Sequence, residues 1–432
     1  MITLSRENYD SIYKGPRPNL SSPSWYMKET GKFHIPYTLG TWNIFGETGE
    51  FFDHVKLNND AYPHTFYSEE ITWKDSEALE HNEKHIYLVN VFNPDFFILN
   101  KDIGFDLMHE RFKKDVIEKR CKVVIWYVFE GYSQMEGNND IEIVENWRIK
   151  AGFPKNSVHF ITGNAIASQH IKVRNNGIKV HHYEAFSAWN KNEVVNPVSK
   201  FKPVDNKQLF LTYNRAPRAS RLHFITKLQE YGILDRGRAS LGKPVDAHHS
   251  NPIRQYGVYD RDWREVVKQL PMQIDNKSTF FNLACNIEIQ DYESTFCSVI
   301  TETLVNKGTL FVSEKIWKPI IMGHPFFVLG SVGTLQYLKC EGFKTFSKWF
   351  NEEYDQFEDW TNRSEHIAKE LKKLSLLSTL KLHEMRKDMQ EILEHNRNHF
   401  EYKIRLNWGH GEDYEPQHCL INQLKAVNAD IL

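Results

Sequence analysis

The stretch "CKVVIWYVFEG" (Cys121–Gly131) constrains the fold most. It is a near-continuous apolar run, rich in β-branched and aromatic side chains, with no alternation between faces. Such a strand is buried on both sides, as in a parallel sheet whose two faces are covered by crossover helices. Its neighbours keep the rhythm. "HIYLVNVFN" (His85–Asn93) reads as a strand and Phe105–Lys119 as an amphipathic helix. Ile141–Gly152 reads as a helix stopped by glycine, and Ser157–Asn164 and Ile178–Phe186 as further strands. Strand–helix alternation of this kind predicts a doubly wound α/β lobe.

A second α/β series follows the polar stretch Trp189–Lys207, which reads as a linker. "QLFLTYN" (Gln208–Asn214) is a strand, and a helix follows it to near Gly232. Arg238–Gly242 is a short strand, and "DWREVVKQLP" is a helix ended by Pro271. "CNIEIQDYE" and "CSVITET" read as strands. Then come a helix opening near Glu314, the strand "PFFVLG", a helix over Thr334–Cys340, and long amphipathic helix from Thr361 to His399. The expected organisation is two Rossmann-like lobes, 1–195 and 196–360, with a helical segment at 361–432. The first 80 or so residues read as irregular and aromatic-rich. Ligands of such folds sit at the carboxyl ends of the strands.

Composition narrows the class. With 432 residues, 41% apolar and 25% charged, the chain is an ordinary globular one. No apolar run approaches the roughly 20 residues needed to span a bilayer, so no membrane association is expected. The N-terminus has no apolar signal core. The five cysteines (121, 285, 297, 340, 419) are scattered and lack zinc spacing, which suits reduced thiols in a cytoplasm. A net charge of −2 is unlike a dedicated nucleic-acid-binding domain. A local basic cleft on a near-neutral protein remains compatible with a DNA substrate.

Three constellations carry chemistry. In "LTYNRAPRASR" (Leu211–Arg221) a strand end is followed by Arg215, Arg218 and Arg221 at the head of a helix. Cations there oppose the helix dipole unless an anion compensates them, so the pattern suits a phosphate or diphosphate. Solvated arginines in surface salt bridges are the plain alternative. In "ITETLVNKGTLFVSEKIWKP" a strand ends at Glu302, and Ser313 can cap the helix that begins at Glu314. Lys315 and Lys318 share a face of that helix and could meet a diphosphate, while Glu302 or Glu314 accepts hydroxyl donors. A capped helix with a solvated lysine face accounts for the same residues. In "IWYVFEGYS" Glu130 stands at the carboxyl end of the buried strand, as a general base or as a loop carboxylate.

Other patterns are weaker. Asp260 and Asp262 form a short DxD before a helix, where aspartate is a routine cap. His395 and His399 lie four apart without a third ligand, and His181-His182 and His248-His249 have no ligand spacing. No Walker A loop, GxGxxG, HExxH or GxSxG is present.

The segment "DYESTFCSVITETLVNKGTLFVSEKIWKPIIMGHPFFVLG" resembles the donor-binding signature of the α1,3-fucosyltransferase-like group of GT-B glycosyltransferases. Ser313-Glu314-Lys315, Gly323, Pro325 and Gly330 carry the match, and Glu302 corresponds to the group's earlier acidic position. The Asn-Ser that usually follows that acid is absent, and "FEGYS" around Glu130 lacks the group's proline. "YNRAPRASR" is similar to a motif in uncharacterised proteins of bacterial and marine viruses. The resemblance implies a GT-B fold and an inverting transfer from a nucleotide sugar with no metal or other cofactor. Arg215, Arg218 and Lys315 would neutralise the leaving diphosphate, Glu302 and Glu314 would hold donor hydroxyls, and Glu130 would be the base. The acceptor is a glycan hydroxyl or the hydroxymethyl group of a modified pyrimidine in viral DNA, in a host cytoplasm. Lys14, Arg17, Lys28 and Lys32 offer a phosphate-tracking patch for the second. A catalytically degenerate nucleotide-sugar-binding protein is the non-enzymatic alternative.

Overall fold

A computed structural model describes residues 2–5, 71–74, 77–90, 101–102, 104–106, 108–127, 140–167, 177–184, 209–214, 217–242, 263–272, 287–305 and 308–408. The chain divides into two compact units, Met1–Ala185 with Asn407–Leu432, and Phe186–Leu406.

The first unit holds six parallel strands: β1 (Ile2–Ser5), β2 (Ile71–Lys74), β3 (His85–Asn90), β4 (Cys121–Tyr127), β5 (Val158–Thr162) and β6 (Lys179–His182). They lie in the order β2-β1-β3-β4-β5-β6. Every pairing is parallel, so each connection must cross over the sheet. Helices α1 (Glu110–Ile117) and α2 (Asp140–Lys150) make two of those crossings. Phe112 and Val116 of α1 and Ile141, Val144 and Trp147 of α2 share one core with Val123, Ile125, Tyr127 and Phe160 of the sheet. The apolar run of β4 behaves as its sequence requires, with all but one of its residues buried. Burying one such side chain contributes roughly 1.5–3 kcal/mol.

Two strands fall where the sequence reads as irregular. β1 and β2 are four residues each and far apart in the chain, too short to show a period. The helix expected over Phe105–Lys119 is shorter: residues 104–106 form a turn, and α1 begins only at Glu110, with the His109 ring as its cap.

The second unit holds four parallel strands, β7 (Phe210–Thr212), β8 (Arg238–Ala239), β9 (Cys297–Thr301) and β10 (Phe326–Leu329), in the order β10-β9-β7-β8. Helix α3 (Ala219–Glu230) links β7 to β8 on one side, and β9 pairs with β7 on the other. The direction of strand addition therefore reverses between β7 and β9. At such a reversal the flanking loops leave to opposite sides and open a crevice at the strands' carboxyl ends.

The other helices of this unit are α4 (Trp263–Lys268), α5 (Ile289–Ser294), α6 (Glu314–Ile321), α7 (Thr334–Cys340), α8 (Trp360–Ser375), α9 (Thr379–Asp388) and α10 (Gln390–Trp408). The strand expected at "CNIEIQDYE" is, over its described residues, the helix α5, which buries Asp291 and Tyr292. The stretch expected to be mostly long amphipathic helix from Thr361 to His399 is helical, in three pieces broken around Leu377 and Met389. Arg386 of α9 explains why the second piece turns inward. Its buried guanidinium donates to the Phe296 carbonyl (2.7 Å) and the Gly323 carbonyl (2.6 Å), tying α9 to the amino end of β9 and the tail of α6.

Candidate functional site

The carboxyl ends of β7 and β9 and the heads of α3 and α6 hold most of the polar residues that the sequence singles out. β9 ends at Thr301, and the next residue, Glu302, is fully buried. The Glu302 amide still donates to the Leu329 carbonyl (2.9 Å), so its backbone stays in register with β10 while its side chain leaves the sheet. Gly330 packs closely against the head of α7. A Cβ there would stand 3.5 Å from Glu302 Cγ and 3.0 Å from Thr334 Oγ1.

Ser313 closes the loop back onto Glu302. Its Oγ donates to Glu302 Oε2 (2.5 Å) and its amide to Oε1 (3.2 Å). The same hydroxyl caps α6, accepting from the Lys315 amide at 3.4 Å. Lys315 then reaches back over the helix head. Its Nζ donates to Ser313 Oγ (3.0 Å) and Glu314 Oε1 (2.8 Å), and lies 3.9 Å from Glu302 Oε2. One ammonium is thus shared by two carboxyl groups and a hydroxyl, and it remains about a quarter exposed.

The two carboxyl groups are driven apart electrically. Burial raises the Glu302 carboxyl above its ordinary value, Glu314 adds to the rise, and Lys315 and the Ser313 donors oppose it. Burial also works against Glu314, but the charges of Lys315 and Lys318 outweigh it and hold that carboxyl below its ordinary value. The outcome is an anionic Glu314 beside a more proton-retentive Glu302. Together they offer a hydrogen-bond acceptor and a group able to donate or accept.

Helix α6 is held at both ends. Gly323 takes a left-handed φ of 57°, the conformation that ends a helix most cheaply with glycine, and the His324 amide donates to the Pro319 carbonyl (2.8 Å). His324 is buried. Its Nε2 lies 2.8 Å from the Thr295 carbonyl and its Nδ1 2.7 Å from Ser298 Oγ. Burial, with Arg386 adding to it, lowers its proton affinity well below the ordinary histidine value. The ring is therefore neutral, donating from Nε2 and accepting at Nδ1. It fixes the tail of α6 to the foot of β9, so the head of α6 is placed by the strand.

On the β7 side, Arg218 is the N-cap residue of α3, with extended φ and ψ of −74° and 157° and no side-chain cap bond. The first turn of α3 contains no acidic residue. Arg221 is buried, and its Nη2 donates to the Thr301 carbonyl (3.1 Å). It therefore ties the head of α3 to the end of β9. Asn214, just beyond β7, is buried too, and its Oδ1 accepts from Thr301 Oγ1. These contacts join the two strand ends that flank the crevice.

The structure thus gathers Glu302, Ser313, Glu314 and Lys315 into one hydrogen-bonded group, with Arg218 and Arg221 at the neighbouring helix head. Lys318 is half-buried on α6, and its charge acts on Glu314. Glu130 and Arg215 lie outside the described residues, as do Lys14, Arg17, Lys28, Lys32, Asp260, Asp262, His248 and His249. His395 and His399 are engaged by carbonyls, of Gly342 (3.0 Å) and Glu341 (2.6 Å), and join α10 to the loop after α7. Among the described residues, no cluster of histidine, cysteine and carboxylate side chains could hold a metal ion. No described helix is long and apolar enough to cross a membrane.

Sequence reading missed a further cluster. Asp291 of α5 accepts from the Tyr213 hydroxyl at the end of β7, and it pairs with Arg238 Nη2 at 2.6 Å. Burial and the adjacent anion raise the proton affinity of the Tyr213 phenol. Recognising this cluster from sequence would have required placing α5 correctly, since its members are spread over 79 positions.

No family model matches the chain, that of the fucosyltransferase-like group included, and no curated protein matches it. Among the solved structures similar to it is the DNA-modifying enzyme β-glucosyltransferase, determined with and without uridine diphosphoglucose. That likeness has 10% identity and a TM-score of 0.34, covering 90% of this chain and 97% of that one. A second is T4 phage BGT in complex with its UDP-glucose substrate, at 12% identity and a TM-score of 0.34, covering 78% of this chain and 88% of that one. A TM-score of 0.34 transfers neither fold nor function, so both rest on the sheets and side chains above.

Proposed function

We propose that the chain is a glycosyltransferase that takes its sugar from a nucleotide donor held in the β7–β9 crevice of the second unit. The observation that carries this reading is the hydrogen-bonded Glu302–Ser313–Lys315–Glu314 group at the head of α6, next to an α3 head that carries Arg218 and no acid. A helix N-terminus with an arginine cap attracts a diphosphate. Two carboxyl groups of opposed proton affinity suit the vicinal hydroxyls of a ribose or a sugar, which both donate and accept.

In the proposed reaction an acceptor hydroxyl loses its proton to a carboxylate while its oxygen bonds to the anomeric carbon. The anomeric carbon–phosphate oxygen bond breaks, and the nucleoside diphosphate leaves with the electron pair. In-line displacement inverts the anomeric centre. Arg218 and Lys315 supply the cationic stabilisation of the leaving group, so the reading requires no metal. Fucosyltransferase-like donor binding is one form of the proposal, resting on the Ser313-Glu314-Lys315 motif. The acceptor we propose is a hydroxymethylated pyrimidine in DNA, on the strength of the "YNRAPRASR" motif. A glycan is the other acceptor. Transfer to duplex DNA would fall steeply with salt as phosphate contacts are lost, and transfer to a glycan would not.

The test is a thermal-shift scan of the full chain with UDP-, GDP- and CDP-sugars. Stabilisation by one nucleotide supports the reading and names the donor. Indifference to all three refutes it.

A further inference from the structure

Thr301, the last residue of β9, is held twice by the connection that leads from β7 into α3. Its Oγ1 donates to Asn214 Oδ1 ahead of that connection, and its carbonyl accepts from Arg221 Nη2 (3.1 Å) beyond it. Asn214 is itself fixed. Its amide donates to Ser240 Oγ (3.1 Å), its carbonyl accepts from the Gly242 amide (3.0 Å), and its Nδ2 donates to Thr212 Oγ1 (3.3 Å). The ends of β7, β8 and β9 therefore share one buried polar joint.

The backbone of Arg221 carries that joint to the helix cap. The Arg221 and Leu222 amides donate to the Arg218 carbonyl (3.0 and 2.9 Å), closing the first turn of α3 on Arg218. On the other side, the Thr301 carbonyl belongs to the peptide group shared with Glu302. A chain of short links thus runs from Arg218 through Arg221 to Glu302. The far side of the Glu302 segment is held separately. Arg363 of α8 donates to the Val305 carbonyl, and Ser331 Oγ to the Leu304 carbonyl (3.4 Å).

Burying a guanidinium is costly, and Leu222, Phe224, Ile225 and Leu228 already bury the apolar face of α3. What Arg221 adds to that packing is direction, a bond aimed at the peptide that carries Glu302. The side chain belongs to a residue only 4% exposed, which leaves its guanidinium little surface for a phosphate.

We infer that Arg221 is a positioning residue for sugar transfer and not a ligand of the diphosphate. It sets the distance between the α3 head, where Arg218 meets the leaving diphosphate, and Glu302, which meets donor hydroxyls. This deepens the glycosyltransferase reading and rests on it. A flexible diphosphate adapts to a small shift of α3, but displacement at the anomeric carbon does not, since misplacement by about 1 Å can cost on the order of 10²-fold in rate. Loss of the Arg221 bond therefore slows turnover more than it weakens binding.

The experiment compares the wild-type full chain with Arg221→Met, Arg221→Lys, Thr301→Val and Asn396→Ala. Asn396 is the stability control. Its buried side chain bridges the Lys344 amide (2.7 Å) and carbonyl (2.8 Å), a joint that involves neither α3 nor β9. Two quantities are read. One is the Kd of whichever of UDP, GDP and CDP binds the wild type. The other is turnover of the matching nucleotide sugar at saturating donor, with water as acceptor or the DNA or glycan that accelerates it. In Arg221→Met turnover should fall on the order of 10²-fold with the nucleotide Kd retained. Arg221→Lys, which keeps a cationic donor on a shorter side chain, should recover part of the rate. Thr301→Val breaks the Asn214 half of the joint and should slow turnover by less. Asn396→Ala should lose stability and keep the wild-type rate. Wild-type turnover in Arg221→Met overturns the assignment alone. A weakened nucleotide Kd in that variant also overturns it, in favour of a direct diphosphate ligand, and an equal loss of rate in Asn396→Ala overturns it in favour of stability. Should Arg221→Met not fold, Thr301→Val decides, and a wild-type rate there overturns the joint. A wild type that binds none of the three nucleotides, or turns over none of their sugars, overturns the glycosyltransferase reading and the assignment with it.

Discussion

Replacing Lys315 with alanine isolates the donor site. The ammonium lies 2.8 Å from Glu314 Oε1, 3.0 Å from Ser313 Oγ and 3.9 Å from Glu302 Oε2, with about a quarter of its surface exposed. At an effective dielectric near 20, one such contact at 4 Å amounts to about 4 kcal/mol before desolvation is subtracted. The net value of a charge-assisted hydrogen bond is about 1.5–3 kcal/mol. Taking about 2 kcal/mol as the loss toward a bound diphosphate gives a roughly 30-fold weaker Kd. At donor equal to 100 times the wild-type Kd, wild-type stabilisation is about 2.7 kcal/mol, and the variant keeps about 0.9 kcal/mol. For a unit of this size that is a thermal shift of roughly 5–11 °C falling to roughly 2–4 °C. Differential scanning fluorimetry with the best nucleotide sugar reads it directly. Lys381→Ala is the control, since that lysine pairs with Glu384 on the exposed face of α9. If Lys315→Ala kept the full wild-type shift, the assignment of the α6 head to the donor would be wrong.

Other perturbations test the frame around the site. Arg386→Leu strands the carbonyls of Phe296 and Gly323, and at about 1–3 kcal/mol for each stranded group it should lower the unfolding midpoint in urea by far more than any exposed lysine variant. Asp355 accepts from the amides of Leu335 (2.9 Å) and Gln336 (3.1 Å), so Asp355→Ala should cost about 1–2 kcal/mol, as loss of a helix cap does. The Asp140 carboxyl, which burial at the head of α2 raises well above its ordinary value, sets a pH dependence. Below about pH 3.9 the group is protonated in both folded and unfolded chains, and Asp140→Asn should leave stability nearly unchanged there. Above that pH the unfolded chain releases its proton first, and wild-type stability falls by about 1.4 kcal/mol per pH unit until the folded group ionises. Asp140→Asn should therefore unfold at higher denaturant than wild type at pH 7 and lose that advantage at pH 4.

The parallel sheets are legible in the sequence because β4 and β10 are buried along almost their whole length and read as apolar runs. β1 and β2 escape notice because four residues carry no measurable period, while the two residues of β8 open the short strand expected over Arg238–Gly242. The helix α5 is hidden by the alternation in "NIEIQ", which imitates a strand, although its interior buries Asp291 and Tyr292 against the end of β7. At the site, local chemistry is readable and long-range pairing is not. Ser313 announces itself as a cap, but its bond to Glu302 exists only because β9 and α6 lie side by side. Arg221 reads as a phosphate ligand by position, yet the fold turns it inward to the Thr301 carbonyl.

The measurement closest to the central claim is transfer of labelled sugar from the stabilising nucleotide donor to duplex DNA carrying 5-hydroxymethylcytosine, with a glycan panel alongside, for wild type and Lys315→Ala at equal subsaturating donor. The account predicts label on one acceptor class with wild type and a roughly 30-fold lower kcat/KM with the variant. A wild-type chain that binds the nucleotide sugar and leaves every acceptor unlabelled would contradict it.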